Sequence, residues 1–144
     1  MQPGLAMQEL HLLPGDTPYI ETTLAQGEMI TAVVLPPPPP GKQIYRKVRD
    51  RASYAFALVS VAAIVEIAHD SIKSARFAFG GLAPKPWRDE AAEVALTEAP
   101  ASDKTAHDFS DAILENAKGH GGNDFKIPLT RRTLRAVLAQ AAGG

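Results

Sequence analysis

The stretch KVRDRASYAFALVSVAAIVEIAHDS, residues 47–71, sets four charged residues against an apolar run. Its composition suits a membrane span or a strand of a folded core, and length separates the two. The uncharged run 52–65 holds about 14 residues, which at a helical rise of ~1.5 Å covers roughly 21 Å of a hydrocarbon core ~30 Å thick. Periodicity then selects the strand: Val59, Val61, Ala63, Val65 and Ile67 share one parity, while Ser60 and Glu66 fall on the other.

Beyond His69-Asp70-Ser71 the pattern returns in IKSARFAF (72–79), with Ala75, Phe77 and Phe79 on one parity and Ser74 and Arg76 on the other. This predicts a β-hairpin. If Ala68 pairs with Ile72 around a loop of three residues, Val65 faces Ala75, Ala63 faces Phe77 and Val61 faces Phe79. Small residues then oppose large ones, which supports that register.

Upstream, GEMITAVVLP predicts a strand over 29–35, nearly all apolar and therefore expected to be buried on both faces. The prolines at 36–40, closed by Gly41, form a polyproline-II stretch or turn, read as a stiff connector in preference to a ligand for a proline-recognising domain. A second strand is expected over 43–48 and a short helical turn over 52–58. The chain up to residue 26 reads as an extended N-terminal segment, and 27–144 as a single domain.

Downstream, two prolines precede a helix over 89–96, and a second helix is expected over 103–118 with Phe109, Ala112, Ile113 and Asn116 on one stripe. A third starts near Pro128 and carries Leu134, Val137, Leu138 and Ala141. Strands first and helices last predict an α+β fold: an antiparallel sheet of about four strands with three helices packed on it.

With 144 residues, 45% of them hydrophobic, and a net charge of −1, the chain supports one core and no strong overall field. Arg46, Lys47, Arg49 and Arg51 form the one basic cluster, which argues against nucleic acid as a partner. The absence of cysteine excludes disulfides, thiolate catalysis and a cysteine-held iron–sulfur cluster within the chain. MQPGLAMQELHLLPGD has no basic n-region or long apolar h-region, so the expectation is a cytoplasmic protein that does not engage a membrane.

His11, His69, His107 and His120 share no metal-ligand spacing, so no metal site is expected. KGHGGND (118–124) follows a helix and reads as its C-cap and loop, not as a phosphate cradle. Glu66 reads as a solvated strand residue, and no catalytic residue is assigned. Lys47, beside Tyr45 on a rigid strand, is the candidate for holding an anion or a flavin oxygen.

Four blocks in order, LLPGDTPYIETTLAQGEMITAVVLP (12–36), YRKVRDRASYAFALVSVAA (45–63), ARFAFGGLAPKPWRDEAAEVAL (75–96) and FKIPLTRRTLRAVL (125–138), give the chain its resemblance to a known family. It resembles the C-terminal domain of the FAD-binding subunit of molybdenum hydroxylases, which include xanthine dehydrogenase, aldehyde oxidoreductases and carbon monoxide dehydrogenase. The resemblance implies a module that closes one side of the isoalloxazine of FAD, in a subunit that receives electrons from a molybdenum cofactor through two [2Fe-2S] clusters. It implies cofactor-binding roles for Ile30 (packed on the flavin), Lys47 (reaching the cofactor) and Tyr19 (beside the ring), and a loop near the flavin over 48–58.

No counterpart of the family's N-terminal FAD domain precedes Met1, so the expected partners are that missing domain, a [2Fe-2S] subunit and a molybdopterin subunit. The chain alone is then expected to be inactive and not to retain FAD. The alternative is a flavin-free interaction or scaffold domain.

Overall fold

The computed structural model describes residues 4–143. They divide into two compact units, one comprising the chain up to Pro38 together with Ala83–Lys85, the other Pro39–Leu82 together with Pro86 onward. The first unit is mostly irregular. It contains one turn of helix, α1 (Met7–Leu10), and a bridge between His11 and Thr22.

Residues 29–35 form no strand, and Met29, Val33, Val34 and Leu35 are exposed. An apolar run becomes a buried strand only where neighbouring strands take its backbone groups. This run leads straight into five prolines, which have no N–H to donate. The sheet accordingly has three strands instead of about four.

That sheet belongs to the second unit: β1 (Lys42–Val48), β2 (Val59–Ala68) and β3 (Ser71–Gly80), antiparallel in the order β1-β2-β3. The fold is α+β, as expected. Val61 faces Phe79, Ala63 faces Phe77 and Val65 faces Ala75. All six side chains are buried, and the Phe77 ring meets Phe109 at 5.0 Å between centroids, tilted by 45°.

The hairpin end differs from the sequence reading. Ala68 pairs with Ser71, leaving a turn of His69 and Asp70 alone, at φ 50° and 58°. Two positive φ values match the mirror-image turn that suits the twist of paired strands. The pairing then steps from Ile67–Ile72 to Glu66–Ser74, so that Lys73 is the extra residue of a bulge. The bulge absorbs the offset between the shorter turn and the expected register, which is why the pairs further along were read correctly.

Residues 49–58 connect β1 to β2 without a helical turn, closed by the Leu58 amide donating to the Val48 carbonyl at 2.9 Å. Arg51 donates to the Tyr54 carbonyl, and Tyr54 has a φ of 55°. This side-chain bond and left-handed residue replace the helical bonding expected there, and leave Tyr54 96% and Phe56 97% exposed.

Three helices cover one sheet face: α2 (Glu90–Ala95), α3 (Asp103–Ile113) and α4 (Lys126–Ala142). Asp89 and Ser102 cap the first two through the amides of Ala92 and Thr105. α3 stops short of residue 118 because Glu115 and Ala117 bond back only three residues, to Ala112 and Leu114. Ala106, Phe109 and Ile113 from α3 and Leu134, Val137 and Leu138 from α4 complete the core. Trp87 is half-buried against it, and its indole N–H donates to the Ile113 carbonyl at 3.0 Å, satisfying a group at the end of α3.

Candidate functional site

The second unit has an open groove of about 730 Å³ where the end of β1 runs past α4. Register fixes one wall: Arg46 lies opposite Val61, Lys47 opposite Ser60 and Val48 opposite Val59, after which the chain departs as Arg49-Asp50-Arg51-Ala52. The other wall is Leu129, Arg132, Thr133 and Ala136, at helical i, i+3, i+4 and i+7 spacing on α4. The Thr133 hydroxyl is already committed to the Leu129 carbonyl at 2.8 Å.

Five cationic residues, Arg46, Lys47, Arg49, Arg51 and Arg132, therefore line this groove with one acidic residue, Asp50; along β1, Arg46 shares the face of buried Val61 and Lys47 lies on the other. Among the described residues, none of the five has a carboxylate within ion-pair distance. The contrast lies on α4 itself, where Arg131 meets Asp111 at 2.9 Å and Arg135 meets Asp103 at 2.7 Å. Arg132 sits between two neutralised neighbours and lines the groove without such a partner. Sequence reading found the β1 cluster but missed Arg132, because nothing in RRTLR distinguishes the three arginines before the carboxylates of α3 are placed.

Of the three residues expected at a flavin, Lys47 is in this groove. Tyr19 and Ile30 belong to the first unit and are both exposed, Tyr19 at 81% in a turn closed by the Ile20 amide and the Thr17 carbonyl. Glu66 is half-buried and accepts from the Ser74 hydroxyl at 3.1 Å, and no group of three or more metal-ligating residues occurs among the described residues. In KGHGGND the His120 and Gly121 amides are taken by the side chains of Asn123 and Asp124, as suits a self-capped loop before α4. Within the second unit, Lys47 is thus a cationic donor of the kind that suits an electron-rich flavin edge. The glycine-rich loop has those two amides already engaged.

Residues 43–141 match the family described as the CO dehydrogenase flavoprotein C-terminal domain, and the chain belongs to that family. The resemblance read from the four sequence blocks is borne out. Among curated relatives, the aldehyde oxidoreductase FAD-binding subunit PaoB of Escherichia coli (strain K12) is 50% identical over 138 residues, covering 96% of this chain and 40% of the relative. The chain thus spans less than half the length of that relative.

Solved structures agree on the fold. A chain of the reconstituted CO dehydrogenase from Oligotropha carboxidovorans matches with a TM-score of 0.71 at 21% identity, covering 83% of this chain and 43% of that one. A chain of quinoline 2-oxidoreductase from Pseudomonas putida 86 matches with a TM-score of 0.64 at 22% identity, covering 74% and 38%. Among the described residues, no helix is long and apolar enough to cross a membrane.

Proposed function

We propose that this chain is the C-terminal module of the FAD-binding subunit of a molybdenum-flavin dehydrogenase, helping to close the isoalloxazine site and to dock partner subunits for electron transfer in the cytoplasm. The observation that carries the reading is 50% identity to an FAD-binding subunit across 96% of the chain. In this reading Lys47 supplies a hydrogen-bond donor and a positive charge to the electron-rich edge of the ring system, Ile30 an aliphatic surface and Tyr19 an aromatic one. When bound, FAD supplies the electron acceptor. The protein's part is to hold the ring, exclude water from it and favour its reduced, anionic form by positive charge.

The pyrophosphate and adenosine fall to an N-terminal FAD domain on another part of the subunit. The iron–sulfur and molybdopterin subunits are the remaining partners. The chain by itself is then neither catalytic nor able to retain FAD.

The test is co-expression with the FAD-binding half of a related subunit, followed by measurement of flavin retained per complex. Lys47→Ala is expected to reduce retention, whereas Lys104→Ala, on the exposed face of α3 and paired with Asp108, leaves it unchanged. Equal retention in both variants removes Lys47 from the flavin site. If the complex forms but holds no flavin, the scaffold reading takes its place, a reading favoured by the exposed apolar side chains of Met29, Val33, Val34 and Leu35.

A further inference from the structure

The cationic groove holds more charge than contact with one flavin edge uses. Five cationic residues and one carboxylate, Asp50, line one open surface of a chain whose net charge is −1. With a single carboxylate among them, the remaining positive charges repel one another and weaken the folded state. α3 supplies carboxylates to the arginines on either side of Arg132, but Arg132 itself lines the groove without one. Arg46, on β1, and Arg49, just beyond its end, line the opposite side. Guanidinium groups from two elements can offer planar N–H forks to one tetrahedral oxyanion, a geometry suited to phosphate.

The floor adds to the case. Leu129, Val48 and Ala136 are apolar, and the nearby hydroxyl, Thr133, is spent on its own helix. Charge, and not a polar network, must therefore hold the ligand. The groove is open to solvent and wide enough to admit a diphosphate or the diphosphate end of a nucleotide.

We propose that Arg46, Arg49 and Arg132 form a phosphate-binding site at the β1–α4 groove, which takes a diphosphate group, free or carried by a nucleotide. The site shares its rim with Lys47 but rests on Arg46 and Arg132, so it does not depend on the flavin reading. Flavin retention in the two-part complex can fail while diphosphate binding persists, and the reverse also holds.

The 144-residue chain is titrated with sodium pyrophosphate in a calorimeter, with ionic strength held constant by sodium chloride. Saturable binding of one pyrophosphate per chain is expected, with an accompanying rise in the thermal unfolding midpoint. Arg132→Gln and, independently, Arg46→Gln are each expected to weaken binding about tenfold or more, as for loss of one charge-assisted contact, while Lys104→Gln leaves it unchanged. Both site positions are exposed, and circular dichroism confirms the fold of each variant. Titration with ADP distinguishes the source: tighter binding than pyrophosphate assigns a nucleotide, and equal binding assigns the phosphates alone. Heats of dilution only with pyrophosphate, or equal binding by wild type, Arg132→Gln and Arg46→Gln, overturn the proposal.

Discussion

The carboxylate of Glu93 accepts the backbone amide of Phe77 at 2.8 Å, from a position only 5% exposed. A helix side chain thus completes the outer edge of β3. The same carboxylate is held by Arg88, with Nη2 to Oε2 at 2.9 Å, and that hydrogen bond raises the guanidinium above its ordinary range against the opposing effect of burial. A raised arginine contributes stability that is fully present below the unfolded pKa and is lost only as pH climbs through the still higher folded one. Arg88 therefore stays charged across the neutral range.

Removing Glu93 leaves the Phe77 amide without its acceptor and Arg88 with Glu90 alone. Glu93→Ala is expected to cost about 2–3 kcal/mol, below the usual figure for breaking a buried pair because Arg88 keeps Glu90 and stays partly exposed to water. Glu93→Gln costs less, since its amide oxygen still accepts from Phe77. Urea unfolding of the two variants checks the order, and an equal loss in both would show that the ion pair, not the backbone bond, dominates.

Phe77→Ala is expected to cost ~3–5 kcal/mol, because the ring is buried against Phe109 and faces Ala63, which is too small to fill the space. Phe77→Leu should recover most of it. A loss below ~1 kcal/mol in the alanine variant would contradict the burial.

Asp70 has a φ of 58°, so a β-branched replacement there is strained. Asp70→Val is expected to lower stability by about 1–2 kcal/mol while Asp70→Gly leaves it level or slightly higher. Thermal unfolding measures the contrast, and equal midpoints would argue for a wider, more adaptable turn.

Phe56→Ser is expected to change stability by less than ~0.5 kcal/mol, because the ring is nearly fully exposed. A larger loss in urea unfolding would mean that the 49–58 loop packs its aromatic side chains after all.

The sheet was legible where side-chain alternation alone sets it: Val61, Val65, Phe77 and Phe79 announce their faces and their partners. The turn was not, because a two-residue loop with a bulge at Lys73 and a three-residue loop without one lead to the same pairs further along. Residues 29–35 misled for a related reason, since hydropathy records what a segment would like to bury and not whether a strand edge exists to receive it. At the groove, Lys47 could be found by its place on a strand. Arg132 could not, because its distinction from Arg131 and Arg135 is a matter of which carboxylates α3 brings near.

The two borders of the sheet are unlike. On β3 the backbone bonds at Ile72, Phe77 and Phe79 are taken by Ala99, Glu93 and Trp87. On β1, among the described residues, no further strand follows. A unit with one closed border and one open border cannot propagate strand pairing from copy to copy. Edge-to-edge association through this sheet would join two open borders and stop there, so a pair, and not a fibre, is the limit of any growth by that route.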